Sequence, residues 1–327
     1  MDGSARLRTT LEDLRALIAT ARPLARIEHV ALAEALGRVL AAPVVARAPV
    51  PARPLARRAG FAVASAETLG AGPYAPLPLS RAVPVRAGAA LPEGTDAVLA
   101  EEEAGSFGCA VQALAAVAPG ENALAAGSEL AAGETVLDAG ARLTARALGA
   151  AAAAGLSEVA VRPRPRIAVS LDGPAGAMLR AAAGPALTND TDGADVVIHP
   201  SDGLPRLACR PLEDASLARD GERWRLGLPQ TAAAWLGWVA LALPLLARLE
   251  GRSSPPPSPA RLAGRVASAV GVADLVLVAL DGALARPLAS PDLPTWRAVA
   301  HAHGFVEIPP ASEGIAEGGE VVVTPFA

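Results

Sequence analysis

The residues able to do chemistry in this chain are arginines, carboxylates and a few hydroxyls. Arg57 and Arg58 form an adjacent pair of cations in a proline-rich loop, where they could hold an anion such as phosphate or simply remain solvated. Glu101, Glu102 and Glu103 make a short acid run after an apolar stretch, by default a solvated strand end. Asp172 and Gly173 follow a strand-like run, and Ser201, Asp202 and Gly203 follow another. Loops at such places can cradle an anion through backbone N–H groups, although the carboxylate of Asp202 opposes one. His301 and His303 stand two apart, a spacing that could bind a metal from a strand. No third ligand is near in sequence, so helix-surface histidines are the expectation and no metal site is assigned.

Lysine is absent, and all 29 basic residues are arginine. P-loop, Schiff-base and lysine phosphate-clamp mechanisms are therefore excluded. With a net charge of −4 the chain has no basic footprint for nucleic acid. Cys109 and Cys209 are far apart and form no metal or redox motif, which favours a reducing, cytoplasmic setting.

The elements that must position these groups can be read in outline. Thr9 or Thr10 before Leu11-Glu12-Asp13 predicts a capped helix over about 10–21. Leu32, Leu36 and Leu40 fall on one stripe and predict a second helix over 31–40. A strand is expected over 96–100, and Gly120, Gly127, Gly133 and Gly140 then punctuate a turn-rich β region. An Ala- and Leu-rich helix over 144–154 should end at Gly155. Strands over 159–161, 166–170, 194–198 and 224–229, with helices to Gly184 after the second and over 232–250 after the last, read as a doubly wound α/β arrangement. The apolar run 235–246 is too short for a comfortable membrane span and is interrupted by Pro244. Residues 253–259 read as a proline-rich linker, followed by a small β-domain.

Three stretches give these elements a family context: LPEGTDAVLAEEE from Leu91, GENALAAGSELAAG from Gly120, and the run from Ala152 to Ala168. In order and spacing they resemble the molybdopterin molybdenumtransferase family, of MoeA and gephyrin E-domain type. The resemblance implies a multi-domain α/β plus β fold. Its parts would be a helical module (6–49 plus 141–163), a β-rich insertion (50–140), a shortened MogA-like α/β domain (164–250) and a small C-terminal β-domain (260–327). It also implies an elongated homodimer. The ligand would be molybdopterin or adenylylated molybdopterin, with molybdate and Mg2+, and a molybdoenzyme or cofactor-biosynthesis protein is the expected partner.

The same resemblance shows where this chain departs. The family's aspartate in its S-a-m-D-G-y-A motif, thought to act in metal insertion, falls on Ala59, and its serine falls on Ala56. A hydroxyl position falls on Ala87. Glu102 and Glu129 keep carboxylates and are the remaining catalytic candidates. In the strand-end loops the family's acidic pair after Gly173 becomes Pro174-Ala175. Its glycine–serine loop becomes Ser201-Asp202-Gly203, and its L-P-G-N-P turn becomes Leu228-Pro229-Gln230-Thr231. These edits favour a degenerate, non-catalytic member. An active molybdenum insertase and a repurposed small-anion binding protein are the alternatives.

Overall fold

Thr10 does cap the first helix. Its hydroxyl accepts from the Asp13 N–H, the Asp13 carboxylate accepts from the Thr10 N–H, and the helix runs Leu11–Ala19. Leu11, Leu14 and Ile18 form its buried face. The second expected helix is absent. The chain instead passes from a strand, Glu28–Ala31, paired antiparallel with Glu158–Val161, into a single 3-10 turn over Leu32–Glu34. Gly37 sits at φ +76°, which ends any helix there, and Leu36 is 58% exposed while Leu40 is buried.

The computed structural model describes residues 8–108, 110–204, 206–252 and 256–326. The expected helical module from residue 6, Cys109 and the linker residues 253–255 therefore lie wholly or partly outside the described residues. The chain divides into two compact units, Glu28–Val161 and a discontinuous one made of Met1–Ile27 and Arg162–Ala327.

The Glu28–Val161 unit is mostly β. Gly60–Val63 is the central strand of a three-stranded sheet, flanked by Val83–Val85 and Ala97–Ala100, both antiparallel to it. A second three-stranded sheet contains Leu77–Pro78, Ala110–Ala113 and Ala104–Phe107. Val63, Leu99 and Ala113 share one apolar core, and Leu40, Leu143 and Val161 share another. The Ala145–Ala153 helix is capped by Thr144 at its start, and Gly155 follows at φ +85°. The four regularly spaced glycines from Gly120 to Gly140 all have positive φ, so each marks a turn that a residue with a Cβ would strain.

The other unit holds a four-stranded sheet and a barrel. In the sheet, β1 (Ile167–Val169), β2 (Val196–Pro200), β3 (Ser216–Asp220) and β4 (Arg223–Leu228) lie in the order β1-β2-β4-β3. β1, β2 and β4 are parallel and β3 is antiparallel. Helix Gly173–Ala183 follows β1. After β4 comes a continuous helical segment, Ala234–Gly237, Trp238–Ala242 and Leu243–Glu250. Its middle section is a π turn just before Pro244, which has no N–H to continue the ordinary ladder. Among the described residues no helix is long and apolar enough to cross a membrane.

The barrel consists of β5 (Ser258–Leu262), β6 (Ala273–Asp281), β7 (Leu284–Pro287), β8 (Gly304–Ile308) and β9 (Glu320–Pro325). Pairing runs β6-β7-β5-β9-β8, and β8 returns to β6, closing the ring. Ser258 and Pro259, expected in a linker, begin β5 instead, because their backbone pairs with Val323 and Val322. The fold class is thus the expected one, α/β combined with β-rich parts and a small C-terminal β-domain.

Candidate functional site

At one end of the Gly60–Val63 sheet, Gly60 pairs with Val85 on one side and Ala100 on the other. That register brings together three separated pieces of sequence: the Arg57-Arg58-Ala59 loop, the Ala87 turn and the Glu101–Glu103 turn. Gly60 cannot be replaced freely, since a Cβ there would lie 2.2 Å from the Leu99 carbonyl oxygen. The loop is tied further by backbone bonds. Gly88 N donates to the Ala56 oxygen, Ala56 N to Ala89, and Arg57 N to Asn122.

Arg58 Nη2 donates to Glu102 Oε1 at 2.5 Å. The Glu102 carboxyl is held below its usual value, chiefly by a hydrogen bond from its own backbone and next by Arg58. Arg57, Ala59 and Ala87 are exposed, and neither alanine can take a proton or orient an oxyanion. Glu129 is also exposed; its N–H donates to the Val50 oxygen, so its backbone is part of a turn. Asn122 was not among the residues expected to act. It holds φ +55° and donates from Nδ2 to the Val98 oxygen, which makes it the polar anchor of this corner. The signal for it was an asparagine directly after the Gly120-Glu121 turn.

The second group of expected residues lies at the carboxyl ends of β1, β2 and β4. Because these strands are parallel neighbours, the loops at 170–173, 199–203 and 228–231 emerge along the same sheet edge. Ser170 N donates to the Ile198 oxygen and Ser201 N to the Leu228 oxygen, so the three loops are laced together. Asp172 precedes the Gly173–Ala183 helix, and its side chain makes no capping bond. Gly173 and Gly203 have φ +61° and +73°, with open space where a Cβ would stand. Their backbone can therefore approach a ligand.

Neither polar side chain of the middle loop is idle. Ser201 Oγ donates to Asp214, a partner that the sequence did not suggest, and Asp202 pairs with Arg206. Asp202 also accepts from Leu204 N at 3.1 Å, the main reason its carboxyl stays low. Pro229 is buried, whereas Gln230 and Thr231 are exposed, with Thr231 Oγ1 accepting from Ala233 N. Gly237 lets the following helix press on Leu228, for a Cβ there would meet Leu228 Cδ2 at 2.3 Å.

Thus Arg57, Arg58, Glu102 and Glu129 belong to the Glu28–Val161 unit, and Asp172, Gly173, Ser201, Asp202, Gly203, Pro229, Gln230 and Thr231 to the other. His301 ends a short helix, Trp296–His301. His303 is not a helix-surface residue: it follows the helix, and its Nδ1 accepts from the Leu280 N–H at 3.1 Å.

Residues 9–155 match the family model of the MoeA N-terminal region, domain I and II. The whole fold is similar to that of a molybdopterin biosynthesis MoeA protein from Pyrococcus horikoshii. The TM-score is 0.84 at 23% identity, covering 98% of this chain and 99% of that one. A second structure of a MoeA protein from the same organism matches at TM-score 0.79 and 20% identity, covering 98% and 100%. A molybdenum cofactor biosynthesis protein from Pyrococcus furiosus matches at TM-score 0.62 and 18% identity, with the same coverage. At these identities the likeness is one of fold. No curated protein matches the chain by sequence.

Proposed function

We propose, from its fold and the match of its N-terminal region, that this chain is a MoeA-like protein that serves molybdenum cofactor biosynthesis without performing metal insertion. It would hold molybdopterin or its adenylylated form, or dock to a molybdoenzyme or a biosynthetic partner, as a homodimer in the cytoplasm.

One observation carries the reading. The sheet end beside Gly60 presents the methyl group of Ala59, and the adjacent cation, Arg58, is already engaged by Glu102. Insertion of molybdate, the substrate of the active alternative, needs a group to take a proton or orient the oxyanion. Ala59 and Ala87 supply neither.

The strand-end loops fit a bound pterin better than they fit catalysis. Gly173 and Gly203 offer approachable backbone at the edge where α/β sheets take their ligands. The charge of Asp202 is offset by Arg206, so it need not repel a phosphate. Among the described residues no cluster of three His, Cys, Asp or Glu is arranged to hold a metal ion.

The test is to titrate the purified full-length protein with molybdopterin and with its adenylylated form, by pterin fluorescence or calorimetry. Molybdate-dependent release of the completed cofactor is then assayed. Saturable binding without turnover is expected. Turnover by the unaltered chain would replace this proposal with the active insertase. Ala59→Asp is the companion variant: turnover appearing only there would assign the loss to that position. Absence of pterin binding would leave the partner-docking form alone.

A further inference from the structure

We infer that the C-terminal barrel carries an oxyanion site of its own, suited to free phosphate or a phosphomonoester, in a cleft of about 540 Å³. The cleft lies beside β6 and β7 and the Trp296–His301 helix. Arg286, Arg297, Thr295, His301 and His303 supply its polar lining, and no described carboxylate lines it.

The assignment rests on the donors that meet at this one cleft. Arg15, Arg26 and Arg210 are ion-paired, whereas among the described residues Arg286 and Arg297, like many other arginines of the chain, have no carboxylate within ion-pair distance. Asp281, two residue pairs along the β6–β7 hairpin, neither lines the cleft nor pairs with Arg286. In a chain of net charge −4, two unpaired guanidiniums at one cleft leave local positive charge uncompensated.

His303 is held in place. Its backbone N–H donates to Val278, its carbonyl accepts from Phe326, and its Nδ1 accepts from Leu280 N–H. With Nδ1 acting as acceptor, the ring proton sits on Nε2, which makes the imidazole a donor. Thr295 Oγ1 already accepts from Ala298 N, so its own hydroxyl proton is left to give. Two forked guanidiniums, an oriented N–H and a hydroxyl are a donor-only set, matching the acceptor-only oxygens of a tetrahedral oxyanion. Nothing in this argument depends on the pterin reading, because none of these residues belongs to the strand-end loops or to the Ala59 corner.

The experiment follows the imidazole resonances of the full-length protein by NMR during titration with inorganic phosphate, and separately with glycerol 3-phosphate. Ionic strength is held constant with chloride. The chain has 4 histidines, so His301 and His303 can be assigned by substitution. Saturable shifts confined to these two are expected, with affinity weakened about tenfold or more in Arg286→Gln/Arg297→Gln, as befits lost charge-assisted bonds. Tighter binding of glycerol 3-phosphate would identify a phosphomonoester as ligand, and equal binding would mean that the phosphate group alone is read. Both residues are exposed, and the single variants Arg286→Gln and Arg297→Gln guard against a folding defect in the double variant. Unsaturable shifts, shifts reproduced by chloride, or affinity unaffected by the substitutions in a folded protein would overturn the assignment.

Discussion

Arg58 and Glu102, 44 residues apart in sequence, meet at 2.5 Å beside the Ala59 position. Both are substantially exposed, so the pair contributes little to folding, but it occupies the cation that an incoming oxyanion would need. Glu102→Gln should free Arg58 and raise the affinity of this corner for molybdate about twofold to fivefold. The urea midpoint should not move. Calorimetric titration with molybdate at fixed ionic strength checks this; unchanged affinity would mean that Glu102 does not restrain Arg58.

Local grammar was legible wherever short-range chemistry decides the outcome. Thr144, the alanine run and Gly155 define a helix from cap to cap, and the structure has it at Ala145–Ala153. The misread segment, 31–40, had a helical leucine spacing, but Gly37 adopts a positive φ and the preceding residues gain strand bonds with Glu158–Val161. That partner is more than a hundred residues away and leaves no mark on the local pattern. The site behaved likewise. The missing groups at Ala59 and Ala87 could be seen in one dimension, as could the three strand-end loops. The pairings Arg58–Glu102 and Ser201–Asp214 could not, because each is created by strand register and loop closure.

Asp274 is fully buried at the start of β6 and accepts two bonds from Arg210, at 2.7 and 2.6 Å. Arg210 also reaches Asp292. Arg210→Met would strand a buried carboxylate, and a loss of about 3–5 kcal/mol of folding stability is expected from urea unfolding. Arg210→Met/Asp274→Leu should recover much of that loss, since the cost is the uncompensated charge. A double variant no more stable than the single one would instead place the cost in lost packing.

Cys209 is buried, and its thiol is pushed up to about 12, first by desolvation and then by the nearby Glu307. In a Cys109→Ser background it should resist iodoacetamide at mildly alkaline pH while the protein is folded, and react fully in urea. Labelling of the folded protein at the rate of a free thiol would contradict its burial beside the barrel strand Ala273–Asp281, with which Cys209 pairs.

The capping box offers a pH test whose sign is fixed in advance. Thr10 donates to Asp13 from its backbone N–H at 2.8 Å and from its hydroxyl at 2.7 Å, and these bonds hold the carboxyl below 3.8, the backbone bond contributing most. A carboxyl lowered by folding stabilises the native state above its unfolded value, and that contribution is lost as pH falls through the folded value. Asp13→Ala should therefore lower the urea midpoint at neutral pH, with the gap to the parent narrowing steadily below pH 3.8 as the parent's carboxylate protonates. The helix it caps places Leu11, Leu14 and Ile18 in the same core as Leu245 and Leu249, so the loss should be felt in global unfolding. A gap that stays constant with pH would assign the effect to helix propensity and remove the charge from the argument.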